Sequence, residues 1–259
     1  MALRSLKNFN VVRLIKSNPY SQIFEIKDKV SQIHYVLKKI KKEPLSNYDQ
    51  KAILERCEKL KRITNNNIVT LYDYFDMKGY IYTVTEYIEG ESLSNLILYR
   101  KYSEKFSISL YVKFLIHICD GLLALNENGI VHGDVKTGNI FYTPKNEIKI
   151  LDVILGFLSK NRIEKMNLFD KILFWLGIKK DLLVIQGTLT YTAPELIFGL
   201  EADQQSDIYS FGIMSYVLLT GELPMSGETL NDQNLMKLWH LNPKKIPVFP
   251  QEIKDDIPT

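Results

Sequence analysis

The run Ile130-Val131-His132-Gly133-Asp134-Val135-Lys136-Thr137-Gly138-Asn139-Ile140-Phe141-Tyr142 constrains this chain more than any other stretch. An apolar β pair, Ile130 and Val131, leads into His132, Asp134, Lys136 and Asn139, and a second apolar trio, Ile140 to Tyr142, follows. Further on, Ile148 to Leu151 reads as another short strand that ends at Asp152. Two carboxylates, a lysine and an amide are therefore expected on loops at the ends of short strands. That set suits phosphoryl transfer, in which one Asp orients a hydroxyl while an Asn and an Asp hold metal against phosphates. A lone Asp or Asn in a loop is usually a turn former. Four positions at fixed spacing, with further matches on both sides, outweigh that plainer reading.

Composition removes several alternatives. A chain of 259 residues can bury a sizeable core as one large domain or two lobes. A formal charge of +3 is too small to argue for nucleic acid, and no Lys/Arg stripe interleaves with aromatics. The densest basic run, Lys38, Lys39, Lys41 and Lys42, reads mostly as a solvated strand end. Cys57 and Cys119 sit in helical patterns and fit reduced, buried thiols better than a disulfide framework. Arg4 and Lys7 precede no apolar core of signal-peptide length. No uninterrupted apolar run approaches the roughly eighteen residues of a transmembrane helix. The expected setting is cytoplasmic.

Periodicity places the remaining elements. Phe9 to Ile15, Gln22 to Lys27 and Gln32 to Ile40 read as strands, with a polar turn at Asp28 to Ser31. Residues 49 to 63 carry Ile53, Leu54, Leu60 and Ile63 on or near one helical face, and Tyr80 to Tyr87 is a further strand. The clearest helix spans 107 to 128, with Tyr111, Phe114, Leu115, Ile118, Leu122 and Leu125 at spacings of three and four. Ser107 caps its start and Gly129 stops it. Ser206 to Gly212 opens a helix apolar nearly all round, as a buried central helix should be, and Gly221 ends it.

The spacing H-x-D-x-K-x-x-N, followed by a strand and Asp152, resembles the catalytic loop and metal-binding aspartate of eukaryotic-type protein serine/threonine kinases. The resemblance runs from about Phe9 to Lys254. It includes Tyr35-Val36-Leu37-Lys38, Asn67-Ile68-Val69, Glu86-Tyr87-Ile88-Glu89-Gly90, the stretch Gly187 to Glu195, and Ser206 to Gly212. It implies one α+β domain over 1–259 with a bilobal protein kinase-like fold. A small, mostly antiparallel β N-lobe would reach about residue 86, a hinge would span 86–91, and a larger, mainly α-helical C-lobe would follow.

The same resemblance implies a function: transfer of the γ-phosphate of ATP to a protein hydroxyl. Asp134 would orient the hydroxyl, Lys136 would steady the γ-phosphate, and Asn139 and Asp152 would hold Mg²⁺, with Mn²⁺ as the alternative ion. Lys38 would contact the α and β phosphates. Ile23, Val36 and Phe141 would belong to the nucleotide pocket, backbone groups of Glu86 and Ile88 would bind adenine, and Thr85 would line the back. Lys136, two residues after Asp134, points to the Ser/Thr type, and Asp207 would brace the catalytic loop from below.

Several positions depart from the family pattern. Lys16, Asn18 and Ser21 stand where three glycines let backbone amides approach the phosphates. Asp-Phe-Gly becomes Asp152-Val153-Ile154, and Ile154 should restrict backbone swings there. Counting back from Asn67 without a gap puts Arg56, not a glutamate, opposite Lys38. Glu55, favoured over Arg56 and Glu58 as the partner of Lys38, reaches it only if the helix turns by about 100°. These departures keep open a pseudokinase scaffold with weak or no nucleotide binding. Kinase-like small-molecule phosphotransferases offer a similar loop, but Thr188 to Glu195 fits a protein-substrate platform better.

Two expectations concern the C-terminal half. Gly133 replaces an arginine that in many such kinases awaits a phosphate on the activation segment. The segment Leu155 to Tyr191 should then be ordered by its own amphipathic stretch, 168–178, which packs on its lobe or alternatively meets a partner, a second copy or a membrane surface. No arginine occurs from His240 to Thr259, so the C-lobe is expected to be short there and Glu195 to pair with some other group or face water.

Overall fold

A computed structural model describes residues 6–43, 45–100, 107–156, 189–197, 200–225, 237, 239–242, 244 and 247–248. Side chains that point to opposite faces at successive residues make the N-terminal sheet. Strands β1 (Phe9–Ser17), β2 (Ser21–Asp28), β3 (His34–Lys41), β4 (Leu71–Met77) and β5 (Tyr80–Glu86) pair antiparallel in the order β1-β2-β3-β5-β4. The register shifts in β1 at Val11/Arg13 and Leu14/Lys16 and in β4 at Leu71/Asp73. Phe24 pairs with Leu37 and Leu37 with Val84, a row on the outer face. With Phe9 and Ile26, Leu37 and Val84 form a small separate apolar cluster. The neighbouring row, Ile23 with Lys38 and Lys38 with Thr83, occupies the opposite face, towards the second lobe. The turn after β2 is closed by Asp28, whose Oδ1 accepts from the N–H groups of Val30 and Ser31 at 2.9 and 2.7 Å.

Helix α1 (Asn47–Leu60) starts from a capping box: Ser46 Oγ accepts from Asp49 N–H while Asp49 accepts from Ser46 N–H. It buries Ile53, Cys57 and Leu60 on one face. These join Ile40 and Ile81 of the sheet, Phe114, Ile118 and Leu125 of the second lobe, and Met214 and Leu218 in one continuous core. The lobes therefore share apolar packing behind the cleft.

The second lobe contains β6 (Glu91–Ser92), α2 (Leu93–Arg100), α3 (Ile108–Glu127), β7 (Ile140–Tyr142), β8 (Ile148–Ile150), α4 (Pro194–Ile197) and α5 (Gln204–Thr220), with a small sheet ordered β6-β7-β8. Ser107 caps α3, and Gly129 beyond it takes φ +64°. By length and composition α3 is apolar enough to cross a membrane. Here Tyr111, Phe114, Ile118 and Leu125 are packed into the core. A Cβ at Gly121 would meet Ile150 Cδ1 at 2.6 Å, so α3 crosses β8 at a glycine. The antiparallel N-lobe followed by a helical part is the bilobal α+β arrangement the resemblance implies.

Three expectations need correction or a boundary. Ile130 and Val131 form no strand, because their backbone groups go elsewhere: Ile130 N–H donates to Leu125 O at 2.9 Å, and Val131 O accepts from the Arg56 guanidinium. Cys57 is buried but Cys119 is exposed on α3, and both are free thiols. Residues 168–178 and Thr188 lie outside the described residues. Glu195 does take another partner, accepting from the Ser206 hydroxyl at the start of α5.

Candidate active site

The site lies between the lobes, in a cavity of about 390 Å³. Ile23, Val36, Lys38, Thr85, Glu86, Ile88, Phe141, Asn139 and Asp152, all expected there, line it. The sheet register explains the upper wall, since Ile23, Val36, Lys38, Thr83 and Thr85 share one face of β2, β3 and β5. The lower wall comes from β7 and the residues after β8.

Below the cavity, the loop from Val131 to Asn139 is held almost entirely by side-chain bonds. Asp207, near the start of α5, accepts from the N–H groups of His132 and Gly133 at 2.7 and 2.8 Å. Burial lifts its carboxyl above the ordinary aspartate range, opposed by His132, the two amides and Arg56. The buried His132 ring donates from Nε2 to Leu151 O at 3.0 Å and accepts at Nδ1 from Asp134 N–H at 3.2 Å, which sets its tautomer. Asp134 Oδ2 accepts from Lys136 Nζ at 2.6 Å and from Asn139 Nδ2 at 2.9 Å. Its Oδ1 is buried and has no partner among the described residues. An unpartnered carboxylate oxygen is costly unless another group comes to it, and a substrate hydroxyl is such a group.

Lys38 forms a salt bridge with Asp152. Burial would raise the Asp152 carboxyl, but Lys38, with His132 and Lys136, holds it below the usual range. Asp152 itself has φ +63°, and Ile154 has no positive φ. The left-handed position is thus an aspartate, a residue that tolerates it, and Val153 and Ile154 are free to be buried in the core.

Glu55 is not brought to the site. Its carboxylate is 63% exposed and faces Lys51 one turn away at 3.6 Å, because the buried face of α1 is that of Ile53, Cys57 and Leu60. Arg56 turns inward instead. Its Nε donates to Val153 O at 2.7 Å, and its Nη2 donates to Val131 O and reaches His132 O at 3.5 Å. Burial lowers its pKa to about 10, so it stays a cation at neutral pH.

The loop between β1 and β2 folds on its own side chain. Asn18 Oδ1 accepts from the N–H groups of Tyr20 and Ser21 at 2.9 and 2.8 Å. At the hinge, Glu86 gives its N–H to Thr70 O at 3.0 Å, while its carboxylate accepts from Lys149 Nζ at 2.8 Å, a bridge between the lobes. Thr137 ties the catalytic loop to Ser94 of α2 at 2.8 Å and to the Tyr191 hydroxyl at 3.1 Å. Sequence reasoning missed Lys149 and Thr137, since a strand lysine and a loop threonine carry no motif of their own.

Comparison with known proteins decides the family. The model of the protein kinase domain matches residues 9–257. The chain belongs to the protein kinase domain family. It is 27% identical over 233 residues to calcium-dependent protein kinase 4 of Plasmodium berghei, covering 89% of this chain and 40% of that protein. A probable serine/threonine-protein kinase of Clostridium acetobutylicum is 31% identical over 197 residues, covering 76% of this chain and 26% of the relative. Serine/threonine-protein kinase A of Synechocystis is 28% identical over 229 residues, covering 84% and 41%. The chain therefore spans less than half the length of these relatives.

Within a kinase domain, the donor set suits a metal–nucleotide complex. Asn139 bonds Asp134 through its nitrogen, which leaves its carbonyl oxygen, and Asp152 adds a carboxylate. Among the described residues no group of three or more His, Cys, Asp or Glu gathers into a cage. Two oxygen donors completed by phosphates is the usual way Mg²⁺ is held in such sites.

Proposed function

We propose that this chain is a protein serine/threonine kinase domain that moves the γ-phosphate of ATP to a protein hydroxyl. The observation that carries the reading is a linked set: Asn139 and Asp152 line the floor of a cavity whose roof supplies Lys38, and just below it Asp134 is bonded to both Asn139 and Lys136. Asp134 orients the hydroxyl through Oδ1 and takes its proton, while Lys136 keeps that carboxylate in place and lends charge to the phosphate. Lys38 binds the inner phosphates once nucleotide draws it from Asp152. Asn139 and Asp152 hold Mg²⁺ or Mn²⁺, which neutralises phosphate charge when bound. Ile23, Val36 and Phe141 wall the adenine, and Ile88 offers its backbone to the base. Lys136, two residues after Asp134, supports serine and threonine as acceptors. The free thiols of Cys57 and Cys119 support a reducing, cytoplasmic setting.

One observation favours a second reading, a scaffold that binds nucleotide weakly or not at all. Asn18 already holds the amides of Tyr20 and Ser21, which a phosphate would otherwise take. Incubation with γ-labelled ATP, Mg²⁺ or Mn²⁺ and generic acceptor proteins, followed by phosphoamino-acid analysis, separates the two. Label on serine or threonine is expected. Label on tyrosine alone or on a small alcohol alone contradicts the proposal, and no label favours the scaffold.

A further inference from the structure

Two consecutive peptide units of the catalytic loop, Val131–His132 and His132–Gly133, lie between a cation and an anion. Their N–H groups, on His132 and Gly133, donate to the two oxygens of Asp207 at 2.7 and 2.8 Å. Their carbonyls, on Val131 and His132, face Nη2 of Arg56, the second as a long contact of 3.5 Å. Each peptide dipole thus points its negative end at Arg56 and its positive end at Asp207, the favourable sense at both. Nε of the same guanidinium bonds Val153 O at 2.7 Å, one residue past Asp152.

The two charges come from different lobes. Arg56 is on α1 and Asp207 on α5. The planar guanidinium fork touches the loop that carries Asp134 and the turn that carries Asp152 at once, which a single ammonium matches poorly. Arg56 stands where the resemblance puts a glutamate facing Lys38, and as a cation it cannot make that pair. Lys38 meets Asp152 instead.

We infer that Arg56 is a positioning residue: it locks α1 onto the backbone on both sides of the site, so the seat of that helix sets the geometry of Asp134 and Asp152 without passing through Lys38. The inference rests on the kinase reading for its catalytic effect but not for the clamp itself. Arg56 does not line the nucleotide cavity. Its loss should therefore act on turnover and leave binding alone, and the exposed carbonyls should loosen the loop.

The test uses Arg56→Met, Arg56→Lys and Arg56→Glu, with three readouts: amide exchange at His132 and Gly133, calorimetric Mg-ATP affinity, and kcat. For Arg56→Met, exchange at those two amides should rise about tenfold or more while Ile118 in α3 keeps its rate. Turnover should fall on the order of a hundredfold with nucleotide affinity within about twofold. Arg56→Lys should be intermediate, and it decides the question if Arg56→Met does not fold. Arg56→Glu brings back the family's residue yet sets a carboxylate against three carbonyls, so it should be at least as impaired as Arg56→Met. Higher turnover in Arg56→Glu than in the natural chain would overturn the inference, as would unchanged loop exchange in Arg56→Met and Arg56→Lys. If the natural chain transfers no phosphate, the kinase reading fails, and the exchange rates alone decide for or against the clamp.

Discussion

Lys38 of β3 ends on Asp152 rather than on an acid of α1. Glu55, one residue before the inward-facing Arg56, points to water with Lys51. Lys38 and Asp152 thus hold each other across the cleft until phosphates and metal come between them. Lys38→Met removes a charge-assisted bond worth about 1.5–3 kcal/mol, so Mg-ATP affinity should fall roughly tenfold to a hundredfold by calorimetry. Glu55→Gln should change affinity and turnover less than about twofold. Equal losses in both variants would restore Glu55 as the partner.

Asn18 should limit nucleotide affinity. Its side chain occupies the Tyr20 and Ser21 amides at 2.9 and 2.8 Å. Asn18→Gly frees both, and two hydrogen bonds of about 1 kcal/mol each would tighten Mg-ATP binding by roughly tenfold, part of it offset by glycine's added freedom. An unchanged or weaker dissociation constant would mean that the asparagine itself contacts phosphate.

Gly156 should resist any side chain. A Cβ there would stand 1.9 Å from His132 O and 3.1 Å from Asp134 N, both backbone atoms of the catalytic loop. Gly156→Ala must displace that loop, at a cost of about 1–3 kcal/mol in stability and with a larger proportional loss in kcat than in nucleotide affinity. Denaturant unfolding and steady-state kinetics together check this. Full activity in Gly156→Ala would show that the loop tolerates the shift.

His240 should make the fold sensitive to acid. Burial lowers its pKa to about 4, against the pull of the Leu189 and Thr190 backbone, and its Nδ1 shares a hydrogen bond of 2.7 Å with the Tyr209 hydroxyl. A folded pKa below the unfolded value near 6.5 means the unfolded chain binds the extra proton first. The stabilisation is complete above about pH 6.5 and is lost as pH falls towards 4, roughly 3 kcal/mol in all. Denaturant midpoints across that window should drop, and His240→Gln should flatten the slope. An identical slope in the variant would assign the acid sensitivity to other groups.

Activity should not depend on phosphorylation. Gly133 carries no charge that waits for a phosphate, and the adjoining backbone is held by Asp207 and Arg56. Phosphatase treatment should leave turnover unchanged. A loss traced to Thr190 or another acceptor in the segment before Ala193 would contradict this.

The sequence made the bilobal fold and most of the cleft legible because strand alternation and the H-x-D-x-K-x-x-N spacing report backbone and motif directly. Ile23, Val36, Lys38, Asn139 and Asp152 share the cavity as expected. Rotation about a helix axis was harder to read. Glu55 and Arg56 are neighbours in sequence, and only the burial of Ile53, Cys57 and Leu60 decides which one faces inward. Ile130 and Val131 look like a strand by composition, yet their backbone partners are a helix carbonyl and the side chain of Arg56, which no local pattern reveals. The left-handed φ of Asp152 was likewise not legible, since no local pattern marks it.

The central claim is that Asp134 organises phosphate transfer. The most direct test compares turnover and Mg-ATP affinity of the natural chain and Asp134→Asn with the same acceptor protein. Asparagine keeps the size of the group but weakens the acceptor for Lys136 and Asn139 and removes the base, an effect of about a hundredfold to ten-thousandfold on rate. The account predicts a loss of that order in kcat with affinity within about threefold. Equal trace turnover in both proteins would contradict it.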